Sequence, residues 1–148
     1  MFKTKADAAE FARGHSAFID EVWNPETEWT EAYFGKRMHK DMVHVWQGQI
    51  MNGIKGLLAH WGPVQGAFVG STTFGFDIET FAENMVVFKQ YVTWKSFEGK
   101  DVFIVWRFIV NVDNDGKIVQ ETYVLDQKYA DAVAGVLGAF AKKNGIET

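Results

Sequence analysis

The chain has 148 residues, 47% hydrophobic and 23% charged, with a formal net charge of −4. That length and balance describe one globular domain with a sizeable core, and the absence of a basic stripe excludes nucleic acid as the main partner. No cysteine occurs, which removes disulfides, thiolate catalysis and cysteine metal sites from consideration.

In chain order, Thr4 is an N-cap with Asp7 as a capping-box partner, and the first helix runs to about Trp23. Phe11, His15, Phe18, Ile19 and Val22 share one face at helical spacing. Asn24-Pro25 ends that helix, and a second is predicted from Glu26 to Met38, with Trp29, Tyr33 or Phe34, and Met38 as its buried stripe. Met42–Trp46 reads as a strand, Gln47-Gly48 as its turn and Gln49–Asn52 as the return strand. A third helix covers Ile54 to Trp61, broken at Gly62-Pro63 and resuming to Phe68.

From Ser71 the period becomes two. Phe74, Phe76 and Ile78 alternate with polar neighbours, and Ala82-Glu83-Asn84 is a turn. Val86, Phe88, Gln90, Val92 and Trp94 then share a face. After a turn at Phe97–Lys100 comes the longest apolar hairpin, Val102 to Asp126, closed at Asp113-Asn114-Asp115-Gly116, where Gly116 supplies positive φ. Its first strand places Ile104, Trp106, Phe108 and Val110 on one side and Val105, Arg107, Ile109 and Asn111 on the other. A last helix spans Lys128 to Lys143, with Ala132, Val136, Leu137 and Phe140 as its apolar stripe. Helices followed by a long meander predict an α+β domain over residues 1–148: a cone-shaped, strongly curved antiparallel sheet with helices on its concave face.

Three stretches carry a resemblance: Arg37–Val45, the helix opening Gly53-Ile54-Lys55-Gly56-Leu57-Leu58, and Asp115–Val119 followed by Glu121–Asp126. In this order the chain resembles the nuclear transport factor 2-like superfamily, and within it the SnoaL-like polyketide cyclase and ketosteroid isomerase branch. The resemblance covers nearly the whole chain and implies a cone that binds a small apolar molecule. It also implies ionisable residues at three positions where this chain carries Trp46, Phe108 and Tyr123.

The candidate cavity set is His44, Trp46, Trp61, Phe88, Gln90, Trp106, Phe108, Glu121 and Tyr123. Each aromatic is equally readable as plain core. Glu121 follows the pleat of Tyr123 and Leu125 and would face inward, where an unpaired carboxylate is costly; a register slip of one would instead leave it in solvent. With its carboxyl raised by burial it would form an acid/base pair beside His44. His15 is either a satisfied core histidine or a hydrogen-bond donor to a ligand carbonyl, a position close to the oxyanion-binding Tyr of the resembled isomerases. Asp126 either orients His44 or caps the last helix. Asn111, Asp113, Asp115 and Gly116 imitate the start of a calcium loop without its final ligand, and His39, Asp41 and His44 do not converge from a strand, so no metal is expected.

Two functions remain open. One is a cofactor-free isomerase, cyclase or hydratase in which Glu121 and His44 exchange the proton and Tyr123 or His15 polarises an oxygen. The other is a non-catalytic ligand-binding or assembly module. The outer sheet face (Lys89, Tyr91, Thr93, Phe103, Val105, Arg107, Ile109, Gln120, Thr122 and Val124) is too apolar for water and predicts a homodimer. With no apolar signal core in Met1–Asp7 and no run long enough to span a bilayer, no membrane association is expected and a cytoplasmic location is.

Overall fold

A computed structural model describes residues 1–146. The first helix, α1 (Lys5–Val22), has Thr4 as N-cap in a complete capping box: the Thr4 hydroxyl accepts from the Asp7 amide, and the Asp7 carboxylate accepts from the Thr4 amide. The predicted second helix shrinks to one turn, α2 (Glu31–Phe34), capped by the Thr30 hydroxyl. The long helix fails because tertiary contacts claim both ends. The Trp29 indole N–H donates to the Val22 carbonyl at 2.8 Å, and the Lys117 ammonium donates to the carbonyls of Gly35 and Lys36. The Ile118 amide then takes the Arg37 carbonyl, and Met38 opens a strand instead of closing a helix.

That strand, β1 (Met38–Trp46), is four residues longer at its start than the sequence suggests. It turns at Gln47-Gly48, both at positive φ, into β2 (Gln49–Asn52). Helix α3 (Gly53–Trp61) continues as a 3-10 helix over Gly62–Ala67, in place of a resumed α-helix. Four strands follow: β3 (Phe68–Ala82), β4 (Met85–Ser96), β5 (Asp101–Val112) and β6 (Ile118–Leu125). Helix α4 (Gln127–Asn144) ends the described fold, with Gly145 as a left-handed cap. Asp126 stands at its N-cap with its backbone carbonyl engaged and no side-chain capping bond. The buried face of α4 is Ala130, Val133 and Ala141, with Val136, Leu137 and Phe140 partly covered, whereas Ala132, expected in the stripe, is exposed.

The strands form one six-stranded sheet ordered β2-β1-β6-β5-β4-β3. The predicted antiparallel meander holds for every pair except one: β1 lies parallel to β6. Curvature has a local cause in β3. Thr73 faces Val92 and Gly75 faces Tyr91, which leaves Phe74 as an extra residue; Glu79 is likewise extra between Ile78 and Thr80. Each bulge bends and twists the strand. The bulge also ejects Phe74, 66% exposed, from the inward face its sequence spacing suggested.

Register converts the sequence into rows across the concave face. One row runs His44, Glu121, Val110, Val86, the next Trp46, Tyr123, Phe108, Phe88, and a third Leu125, Trp106, Gln90, Phe76. Helix α1 packs over these rows with Ala8, Ala12, His15, Phe18, Ile19 and Val22 buried. No helix among the described residues is long and apolar enough to cross a membrane.

Candidate functional site

Glu121 sits mid-strand in β6, and its carboxylate is clamped between two imidazoles. The His15 Nε2, from α1, lies 3.5 Å from Oε2, and the His44 Nδ1, from the neighbouring strand, lies 3.5 Å from Oε1. Glu121 and His15 are fully buried and His44 almost so. At 3.5 Å these contacts are longer than good hydrogen bonds, and none of the imidazole nitrogens or carboxylate oxygens has a hydrogen-bond partner among the described residues. The coupling is therefore electrostatic, in surroundings where charges are poorly screened.

Burial lowers the His15 imidazole to about 4, against the pull of the Glu121 charge and with the help of Arg37 and His44. Burial also opposes the Glu121 charge, yet the positive charges of His15 and then His44 bring its carboxyl down to about 2. Burial acts on His15 whatever its partner does and holds the imidazole towards its neutral form, and Glu121 keeps its charge when a proton resides on a neighbouring imidazole. The Tyr123 hydroxyl is raised well above its ordinary value by burial and by the adjacent Glu121 charge, so it stays a proton donor.

A cation missed by the sequence reading completes the electrostatics. Arg37 is half-buried, with its guanidinium 5.3 Å from the Phe11 ring centre and 5.7 Å from that of Phe18. Burial lowers it and the Glu121 charge opposes that. Residue 37 lies in one of the stretches that carry the resemblance, but only the tertiary packing of α1 reveals which way its side chain turns.

Beside the cluster lies a small apolar cavity of about 50 Å³. His44, Trp46, Trp61, Glu121 and Tyr123 line it, as the sequence suggested. Trp23, Trp29 and Trp94, none of them on the sequence-derived candidate list, also line it. The predicted binding residues Phe88, Gln90, Trp106 and Phe108 do not: they are buried in the sheet face as core. Gln90 has a structural task, since its amide donates to the Thr73 hydroxyl at 2.8 Å and accepts the Trp106 indole N–H at 2.5 Å. Thr73 in turn donates to Asp20 on α1, as does Ser71, which ties α1 to β3. His15 also stands off the cavity, packed edge-on to Phe108 and Phe88, and so holds Glu121 instead of presenting itself to a ligand.

The histidines approach opposite oxygens of one carboxylate, and the described residues include no group of three His, Cys, Asp or Glu able to hold a metal ion. His39 and Asp41 are remote from the cluster; the Asp41 amide donates to His39 Nδ1 at the surface.

A curved sheet wrapped round an α1-covered cone is the NTF2-like fold. Among similar solved structures is an NTF2-like protein from Anabaena variabilis ATCC 29413, 16% identical, with a TM-score of 0.65 over 86% of this chain and 96% of that one. A candidate isomerase of the SnoaL-like family from Agrobacterium tumefaciens str. C58 is 17% identical, with a TM-score of 0.60 over 79% of this chain and 98% of its own. A candidate polyketide cyclase from Xanthomonas campestris pv. campestris is 15% identical, with a TM-score of 0.62 over 87% and 98%. At such identities the likeness establishes the fold and leaves the chemistry to the site. No protein-family model and no curated protein matches the chain.

Proposed function

We propose that the chain is a small-molecule enzyme of the isomerase or cyclase type that moves a proton on an apolar substrate without a cofactor. The observation that carries this reading is the Glu121 carboxylate held between His15 and His44 with no hydrogen-bond partner, beside an apolar cavity. Each unsatisfied buried polar group costs about 1–3 kcal/mol, a cost that a purely structural core avoids with apolar side chains.

In this reading Glu121 acts while His15 is neutral, when burial opposes the carboxylate's charge and strengthens it as a base, and it takes a proton from carbon next to a substrate carbonyl. The C–H electron pair moves into the carbonyl, and the Tyr123 O–H donates a hydrogen bond to the enolate oxygen that forms. Where the substrate is a β,γ-unsaturated ketone the enolate is a dienolate, and the proton returns from Glu121 to its γ-carbon to give the conjugated isomer; alternatively the enolate carbon attacks a second carbonyl of the same molecule, whose oxygen takes the proton. His15 positions the carboxylate, and His44 faces the reacting groups. Proton exchange at 2-tetralone in deuterium oxide, followed by NMR, tests the step. The wild type should accelerate loss of the α-proton signal, and Glu121→Gln should return it to the buffer rate; equal rates for the two proteins would refute the assignment.

A second reading, a ligand-binding module, is favoured by Trp46, Phe108 and Tyr123 at positions where the resembled branch carries ionisable groups, and by the small volume of the cavity. Pairing of two copies through the outer sheet face goes with either reading. Its support is exposed apolar surface at Phe103 and Val124, with the Phe74 ring tilted against Phe103 at 6.4 Å between centres. A cytoplasmic location is part of the proposal.

A further inference from the structure

The inner cavity, at about 50 Å³, is well below the roughly 300–1,000 Å³ of ordinary ligand sites. Directly outside it, between α3 with its 3-10 extension and α4, lies a groove of about 640 Å³. Two side chains line both spaces, Trp46 and Trp61, with ring centres 5.3 Å apart in edge-to-face contact. Both sit at chain positions suited to movement. Trp46 ends β1 immediately before the Gln47-Gly48 turn, and Trp61 ends α3 immediately before Gly62.

We propose that cavity and groove are one ligand site divided by the Trp46 and Trp61 rings, and that it takes an uncharged molecule with a flat apolar head inside and a hydroxyl or carbonyl end left in the groove. The chemistry of the groove selects that end. Among the described residues lining it there is no Lys or Arg, and the polar groups are Gln47, Gln49, His60, Gln127 and Asp131. Asp131 already accepts from the Gln127 amide at 2.7 Å, and burial, with the charge of His44, lowers the His60 imidazole towards its neutral form. Neutral donors and acceptors beside one carboxylate favour an uncharged end and penalise an anionic one. The groove persists because α4 presents small residues to it: Ala134 and Gly138 line it, and a Cβ at Gly138 would meet nothing within 4 Å.

The inference rests on the cone being a ligand site, and its test reads binding alone. The probes are 2-(biphenyl-4-yl)ethanol and biphenyl-4-acetate, which share a skeleton and differ in the charge at the end. Titration by tryptophan fluorescence should show the alcohol binding at least tenfold more tightly than the acetate. Gly138→Phe, which fills the groove from α4 without touching the core, should weaken the alcohol at least tenfold. Trp61→Phe, a smaller partition, should speed its association severalfold in stopped flow. A wild type that shows this binding pattern but no acceleration of proton exchange would count against the enzymatic reading and leave this one standing. Equal affinity for the two probes, no binding of the alcohol, or an unchanged affinity in a folded Gly138→Phe would each overturn it.

Discussion

His15 makes the fold acid-sensitive in a calculable way. In the unfolded chain the imidazole titrates near 6.5, and burial lowers it to about 4 in the folded protein. Between those values the unfolded state binds a proton that the folded state refuses, so stability is full above about 6.5 and falls as pH drops towards 4. At about 1.4 kcal/mol per pH unit the gap caps the loss at about 3 kcal/mol, of which about 2 kcal/mol should appear between pH 7 and pH 5. His60, also lowered by burial, pushes in the same direction as His15, so a variant is needed to separate them. His15→Phe is suitable because the imidazole already packs as a ring, stacked 6.0 Å from Phe11 and edge-on to Phe88 and Phe108. Urea midpoints at pH 7, 6 and 5 for both proteins give the slopes. The wild type should lose about 2 kcal/mol and His15→Phe most of that dependence, whatever its absolute stability. A flat wild-type profile, or equal slopes in the two proteins, would refute the reasoning.

Three other outcomes follow from the same coordinates. Tyr123→Phe should slow proton exchange at 2-tetralone by about 10²-fold with little change in KM, since the hydroxyl is assigned to the developing oxyanion; KM and kcat measured together check it. Trp106→Phe should cost about 1–3 kcal/mol in a denaturation experiment, because it orphans the Gln90 carbonyl in a buried row. In sedimentation the wild type should run as a dimer of about 34 kDa, twice 16.8 kDa, and Ile109→Lys as a monomer, since a lysine at the centre of the apolar face cannot be desolvated cheaply.

The periodicities that fixed the fold class were strong where one face is buried throughout. In β4 and β5 the alternation of Val86, Phe88, Gln90, Val92 and of Ile104, Trp106, Phe108, Val110 carries directly into burial. It failed where a local feature breaks the count. Phe74 reads as inward-facing until the bulge is known, and a bulge has no period. Helix α2 was overestimated because its termination depends on Lys117, more than eighty residues away. Glu121 and His44 were legible as a pair, because the pleat of β6 and the apolar spacing of β1 each turn them inward. Their juxtaposition required the parallel β1/β6 contact, which an expected antiparallel meander does not contain. Gln90 was misjudged for a simpler reason: a polar residue in a buried row signals a partner, and sequence does not say whether that partner is a ligand or Trp106.

The aromatic substitutions and the buried charge are linked by the pleat. Trp46, Tyr123 and Phe108 lie in one row, and His44, Glu121 and Val110 in the adjacent one, two residues along each strand. Two residues of strand span roughly 7 Å and keep side chains on the same face. In the proposed reading the acid/base pair is therefore displaced along the cone by about one row from the positions where the resembled branch would carry it. The groove lies on the Trp46 side, so a ligand entering from there meets the row of aromatic rings before it reaches the carboxylate. The cavity beside Trp46 and Tyr123 holds only about 50 Å³ in the resting arrangement. A substrate of the proposed reaction must then be thin enough to pass the Trp46 and Trp61 rings, whose centres are 5.3 Å apart, once they part. For the proposed reaction that requirement favours a flat ring edge over a branched or folded chain, and it would place the carbon that loses its proton at the leading edge of the molecule, with its polar end trailing behind.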